Sequence, residues 1–287
     1  MTSVLPRPGD FPHLTRPCPM CNGTRLRVHF VYDTPPPLET RFPLVAGRKY
    51  WREMHRCEQC GHYLEWFDVD QSTLYGGEYV STTYGDAEGL RRTFDKINSL
   101  SPEQSDNIGR VRYVNTYSRA YWLAKGAIQQ LRLLDVGAGL GVFPYRMKQA
   151  GWNCVALDMD ERLIAHHRDV VGIESVIGDV RDAQGIGEFD LVTFNKVLEH
   201  IEDPVSVLAS VKRLLRPQGL VYIELPDGES AEVDGKEREE YLLGHIHVFS
   251  FASFALLVAH AGMTLLCCER LQEPSSKYTL RGFARLT

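Results

Sequence analysis

The chain has 287 residues, 44% of them apolar, with a net charge of −5 and a pI near 6.1. That is enough apolar matter for one large domain and a small one. No basic run marks a nucleic-acid or anionic-membrane surface, and no apolar stretch reaches the roughly 18–20 residues of a membrane span. Met1–Asp10 holds Pro6, Arg7 and Pro8 but no apolar stretch of a secretory signal, so a cytoplasmic protein is expected.

Residues 1–85 are rich in proline, aromatics and cysteine, with little helical periodicity. Two Cys-x-x-Cys pairs stand out, Cys18/Cys21 and Cys57/Cys60, and Gly61 follows the second. Each pair supplies two thiolates from one tight turn, and four close a tetrahedral metal site. Neither pair opens a helix in a thioredoxin-like pattern, so a redox role is the weaker reading. Zinc is expected, held by Cys18, Cys21, Cys57 and Cys60. Four thiolates leave no open position, so the metal is structural. It would staple a segment with little core of its own. Cys154, Cys267 and Cys268 make an odd total of seven, which speaks against a disulfide framework.

Residues 86–130 read as a helical linker: Ala87–Leu100, broken at Ser101–Pro102, then Val111–Leu131. From residue 131 to 287 strands alternate with helices. The expected strands are Leu131–Val136, Asn153–Leu157, Glu174–Ile177, Phe189–Phe194, Leu220–Leu225, Met263–Leu271 and Tyr278–Leu286. Most are short and β-branched, as buried parallel strands are. One helix is expected from Asp203 (N-cap) and Pro204 to Arg216, another from Ser250 to Gly262. Gln272–Lys277 is too short for a helical crossover, so the last two strands form an antiparallel hairpin. The fold class is α/β, with a doubly wound, Rossmann-like, seven-stranded sheet whose last strand is antiparallel.

Leu133–Phe143 runs from an apolar strand into a loop with Gly137, Gly139 and Gly141. Such a loop lets a ligand approach the backbone and opens a helix at its positive end. Val142 stands where a dinucleotide fingerprint would want its third glycine. The Asp-x-Gly-x-Gly-x-Gly pattern instead resembles the first motif of class I S-adenosylmethionine (SAM)-dependent methyltransferases. Asp158 after the second strand, Ile177-Gly-Asp179-Val180 after the third, Asn195 through Glu199-His200-Ile-Glu-Asp-Pro204 after the fourth and Arg216-Pro-Gln-Gly219 before the fifth are similar to that family in order and spacing.

The resemblance implies the cofactor SAM. Asp135, Gly137, Ala138, Gly139 and Gly141 would hold its methionine end. Asp158, with Met159 beside it, would take the ribose hydroxyls. Asp179 and Val180 would meet the adenine, and Asn195 would line the same site.

His200, His245 and His247 are the candidate bases, since an imidazole accepts protons near neutral pH. Glu199 and Glu224 are alternatives. Gly244-His-Ile-His-Val-Phe-Ser250 resembles a substrate-covering loop of related enzymes, although Gly244 stands where a Glu is common, which removes that Glu–His dyad. His166 and His167 read as surface residues. Tyr75, Tyr79 and Tyr84 resemble a Tyr-rich segment of zinc-module methyltransferases of sugar and natural-product pathways, and they are the candidate substrate contacts.

The expected activity is methyl transfer to a hydroxyl or activated carbon of a small molecule, a sugar or secondary metabolite. Two rivals are an RNA methyltransferase and a non-catalytic SAM-binding subunit. Residues 1–85 hold nine Lys+Arg and nine Asp+Glu. A module that reads RNA is expected to be basic, so nucleic acid is not the expected partner.

Overall fold

The computed structural model describes residues 17–37, 39, 50–67, 86–126 and 130–287. Tyr75, Tyr79 and Tyr84 lie outside the described residues.

Two sheets organise the molecule. The larger has seven strands in the order β10-β11-β8-β7-β4-β5-β6. Within it β4 (Arg132–Val136) is flanked in parallel by β5 (Asn153–Asp158) and β7 (Phe189–Asn195). β6 (Glu174–Ile177) extends one side in parallel, and β8 (Leu215–Pro226) extends the other. β11 (Tyr278–Leu286) lies antiparallel between β8 and β10 (Met263–Gln272). The expected doubly wound sheet and its antiparallel last strand are both present.

Chain direction of travel reverses beside β4: β5 and β6 go one way, β7 and β8 the other. In open α/β sheets this switch point opens a crevice outside the carboxyl ends of the strands. The glycine loop after β4 and Asn195 at the end of β7 flank it.

Helices cover both faces. α1 (Ala87–Asn98) is capped by Asp86 accepting from the Gly89 N–H at 2.9 Å, and α2 (Asp106–Ala124) by Ser105 accepting from Ile108. α2 starts five residues before the expected Val111, because Ser105 offers a side-chain cap there. α3 (Val142–Gln149) follows the glycine loop, and α4 (Glu161–His166) runs into a π-helical turn over His167–Val171. α5 (Pro204–Ser210) is N-capped by Asp203 as expected, but it tightens to a 3₁₀ turn over Val211–Leu214 and gives way to β8 at Leu215. α6 is the single turn Gly228–Ala231. α7 (Phe251–His260) carries a capping box in which Ser250 and Ser253 satisfy each other's backbone N–H groups. Among the described residues no helix is long and apolar enough to cross a membrane.

The smaller sheet was not legible in the sequence. β1 (Leu26–Tyr32), β2 (Arg52–Cys57) and β3 (Tyr63–Phe67) form an antiparallel meander, with the second cysteine pair in the turn between β2 and β3. A fourth strand, β9 (His247–Val248), pairs with β3 through Tyr63↔Val248 and Leu64↔His247. Tyr63 and Tyr241 are fully buried in the joint, their rings edge-on at 5.6 Å. Arg52, also fully buried, binds Glu65 and Glu39 and donates to the Tyr241 carbonyl at 2.7 Å. Buried charge of this kind is tolerated because every charge has a partner.

Phe283 on β11 is fully buried and stacks on Tyr117 of α2, with ring centroids 4.0 Å apart. Its truncation leaves a cavity under the antiparallel strand. Phe283→Ala is expected to lower the unfolding free energy by about 3–5 kcal/mol, measured by denaturant titration. A loss below about 1 kcal/mol would show that α2 does not depend on this contact.

Candidate functional site

The glycine loop is held from below by two histidines. Gly137, Gly139 and Gly141 all adopt left-handed φ (65°, 52° and 69°), which L side chains avoid. His167 is fully buried and its Nε2 lies 2.6 Å from the Gly139 carbonyl. A carbonyl only accepts, so Nε2 carries the hydrogen and Nδ1 accepts from Ser175 Oγ at 2.8 Å. His166, 5% exposed, donates through Nε2 to the Leu140 carbonyl at 3.2 Å. Burial pushes both rings' pKa down, which keeps them neutral. The expectation that these two are surface residues is therefore corrected. The π-helical turn after His166 widens the helix so that consecutive rings both reach the loop.

Above the loop the space is open: a side chain built on Gly139 would meet nothing within 4 Å. Asp158 brackets this space, accepting from the Gly139 N–H at 2.9 Å and from the Asp160 N–H at 3.2 Å. Those bonds leave further lone pairs on its carboxylate. Met159 and Ile177, at the ends of neighbouring strands, are 71% and 56% exposed. Two bare apolar side chains at one crevice could cover an aromatic ring.

Asp179 is turned toward Arg181, which grips both its oxygens and draws its pKa down. The side chain of Val180 is buried, and its carbonyl accepts from Arg213 at 2.7 Å. On the other side of the loop, Asp135 is buried and receives hydrogen bonds from Thr193 Oγ1 (2.6 Å) and Asn195 Nδ2 (2.7 Å). Burial raises its pKa to about 7 against those two bonds. Asn195 Oδ1 is buried with no hydrogen-bond partner. An orphaned acceptor at the mouth of a crevice is the mark of a group that waits for a ligand's donor.

The candidate bases separate. His200 donates through Nδ1 to the Gly244 carbonyl at 2.7 Å, and His245 through Nδ1 to the Glu240 carbonyl at 2.8 Å. Their ring centroids lie 4.9 Å apart. Burial and the neighbouring His200 lower the His245 pKa to about 3. Glu199 joins them, fully buried, with neither carboxylate oxygen hydrogen-bonded. A Glu–His arrangement therefore exists, built from Glu199 rather than from position 244.

His247 stands apart and its role is corrected. It lies on β9, 1% exposed, with Nε2 donating to the Glu202 carbonyl at 3.3 Å and Nδ1 3.0 Å from His62 Nε2. A ring occupied at both nitrogens is a seam, not a base. Glu224 is likewise excluded: Arg110 and Tyr222 bind it, and although burial alone would raise it, Arg110 and Lys196 carry its pKa down to about 2. Arg110 lies on α2, far from any motif, and sequence reasoning missed it. Lys196 was missed too. It holds a left-handed φ of 58° at the end of β7 and donates to Thr279 Oγ1 at 2.8 Å.

The four cysteines converge. Cys18 Sγ and Cys60 Sγ are 3.6 Å apart, and Cys21 Sγ and Cys57 Sγ 3.5 Å. All four sulfurs lie within 4.8 Å of one another. Thiolates about 2.3 Å from a shared zinc sit at about this spacing. Each knuckle ends on a residue with left-handed φ, Asn22 (58°) and Gly61 (72°). The quartet fits a metal.

A family model described as "Methyltransferase domain" matches residues 86–267. The chain belongs to that family. Its curated relatives include the ubiquinone biosynthesis O-methyltransferases of Haemophilus ducreyi, 29% identical over 54% of this chain and 64% of that protein, and of Bordetella avium, 32% identical over 54% and 61%. The matches thus span less than two thirds of these relatives. The fold is that of SAM-dependent methyltransferases. Magnesium protoporphyrin IX methyltransferase from Synechocystis PCC 6803, solved with bound S-adenosylhomocysteine, superposes with a TM-score of 0.55 at 16% identity, over 76% of this chain and all of that one. The 1,6-didemethyltoxoflavin-N1-methyltransferase of Burkholderia thailandensis gives 0.50 at 18% identity, over 81% and 98%.

His167→Ala would strand the Gly139 carbonyl and the Ser175 hydroxyl. An expected loss of about 1–3 kcal/mol in unfolding free energy, read by denaturant titration, would confirm the ring as the loop's support. An unchanged midpoint would refute it.

Proposed function

We propose that this chain transfers a methyl group from SAM to a small-molecule acceptor, with an oxygen as the preferred nucleophile. The observation that carries the reading is the open crevice over Gly139, bounded by Asp158 on one side and by Asp135 with the orphaned Asn195 Oδ1 on the other. SAM has a cationic amino group at its methionine end, a diol in its ribose and a flat adenine. Asn195 Oδ1 and Asp135 suit the first, the spare lone pairs of Asp158 the second, and the exposed Met159 and Ile177 the third. Asp179 and Val180 close the adenine end. Arg181 already engages the Asp179 carboxylate, so Asp179 contributes less there than the motif alone suggests.

SAM supplies a methyl group already activated on a sulfonium. The protein's own task is to align the acceptor, keep water out and dispose of a proton. The Glu199–His200–His245 cluster is the polar group set placed for the acceptor. The relatives' printed name, O-methyltransferase, supports an oxygen nucleophile. The acceptor belongs to the class of sugars or secondary metabolites. A charge-neutral module over residues 1–85 supports a small molecule over RNA.

The cysteine quartet would hold one structural zinc, a closed site that anchors β1–β3. Metal analysis of freshly purified protein is expected to find one zinc per chain. Because β9 completes the module's sheet, Cys57→Ser should lose the zinc and depress a single melting transition rather than split it. Zinc-free wild-type protein would rule the assignment out.

Calorimetry tests the cofactor. SAM is expected to bind the wild-type chain, and Asp158→Ala to weaken it by about 1.5–3 kcal/mol, the worth of a hydrogen bond to a charged group. Wild-type protein with no affinity for SAM would overturn the proposed activity.

A further inference from the structure

Outside the glycine crevice and the cysteine knot, the described residues hold one more convergence of ligand-type side chains. Glu199 follows β7, His200 is next to it, and His245 comes from the loop before β9. One donor atom from each lies within 4.8 Å of the others. Glu199 Oε1 and His200 Nε2 are 3.9 Å apart.

Three features set this cluster apart from a chance meeting of polar groups. First, both rings spend Nδ1–H on a backbone carbonyl, His200 on Gly244 and His245 on Glu240. That bond fixes the tautomer with the lone pair on Nε2 and locks the ring plane, as the outer-shell bonds of metal-bound histidines do. Second, Glu199 is fully buried with both oxygens lacking a hydrogen bond. A carboxylate in that setting needs a cation or a donor. The buried ammonium of Lys196 donates instead to Thr279 and is drawn toward Glu224 as well. Third, the His200 side chain is one-third exposed, so the cluster opens toward solvent on one side.

We infer that Glu199, His200 and His245 form a second metal site, distinct from the cysteine knot, for a divalent transition-metal ion with open coordination positions. Two imidazoles and one carboxylate suit Mn²⁺, Fe²⁺ or Zn²⁺ rather than a thiolate-seeking ion. Ligand atoms around a shared ion lie roughly 3–3.5 Å apart, given bond lengths of about 2.0–2.2 Å. Glu199, whose carboxylate no hydrogen bond holds, would turn toward the two fixed rings to reach that spacing. The open positions would take an oxygen of the acceptor and lower its pKa, as bound cations do. This last role rests on the methyl-transfer reading; the metal site itself does not.

The test is a Mn²⁺ titration of the purified, zinc-loaded protein, followed by the electron paramagnetic resonance signal of free Mn²⁺. Mn²⁺ does not compete for four thiolates, so the cysteine knot stays silent. One Mn²⁺ per chain is expected to bind. Glu199→Gln, His200→Gln and His245→Gln are each expected to weaken it by at least about tenfold while the zinc content stays at one. Wild-type protein that leaves millimolar Mn²⁺ free overturns the site. So does equal Mn²⁺ affinity in all three variants, and melting curves identify any variant that fails to fold. SAM calorimetry on the same preparation keeps the two readings apart. Mn²⁺ binding without SAM binding refutes the methyltransferase and supports the metal site. SAM binding without Mn²⁺ binding refutes the metal site alone.

Discussion

Tyr63 and Leu64 of β3 pair with Val248 and His247 of β9, and through this short ladder the cysteine module is joined to the loop that carries His245. The bonds around it act together. Ser250 caps α7 by accepting from Ser253 and also donates to the Cys60 carbonyl at 2.5 Å. His247 bridges from His62, two residues past Cys60, to the Glu202 carbonyl. A metal held by Cys57 and Cys60 would therefore also fix where α7 starts and where residues 245–250 run. A small cysteine-rich segment gains a sheet edge from its neighbour, and the neighbour gains a rigid wall.

The two ends of the crevice are built on different principles. At the glycine loop the floor is made by neutral histidines that hold carbonyls in place, leaving the upper surface empty. Neutral donors suit this task because they satisfy the backbone without adding charge under the site. Past Asn195, at the other end, most charges are buried and mutually balanced. Arg110 neutralises Glu224, and Tyr222 completes its shell, while Lys196 is set by a left-handed turn against Thr279. Glu199 is the exception in that region, since no hydrogen bond reaches its carboxylate. It lies beside two imidazoles oriented by backbone carbonyls.

Several features were legible in the sequence because their physical causes are local. The glycine spacing requires left-handed turns whatever surrounds it, and all three glycines adopt them. Asp203-Pro204 starts a helix through its own side chain and ring. Six residues between two apolar runs force a hairpin, and β10 and β11 form one. The cysteine pairs announce a shared site because each makes its own tight turn. The fold class follows from these local signals together with the alternation of strands and helices.

What the tertiary structure alone decided are meetings across long stretches of chain. Nothing near Tyr63 indicates a partner at Val248, nor does anything near Glu199 indicate His245, since both depend on the path of residues 227–246 over the sheet edge. Arg110 reaches Glu224 only because α2 packs beside β8. His166 and His167 look like exposed helix residues by sequence, and it is the π-helical turn that sends both rings under the loop. A histidine motif shows which side chains are available for chemistry. Which of them is sealed in a β-seam, as His247 is, and which stays partly exposed beside a buried carboxylate, as His200 does, depends on sheet register and burial, and those are fixed only when the distant strands pair.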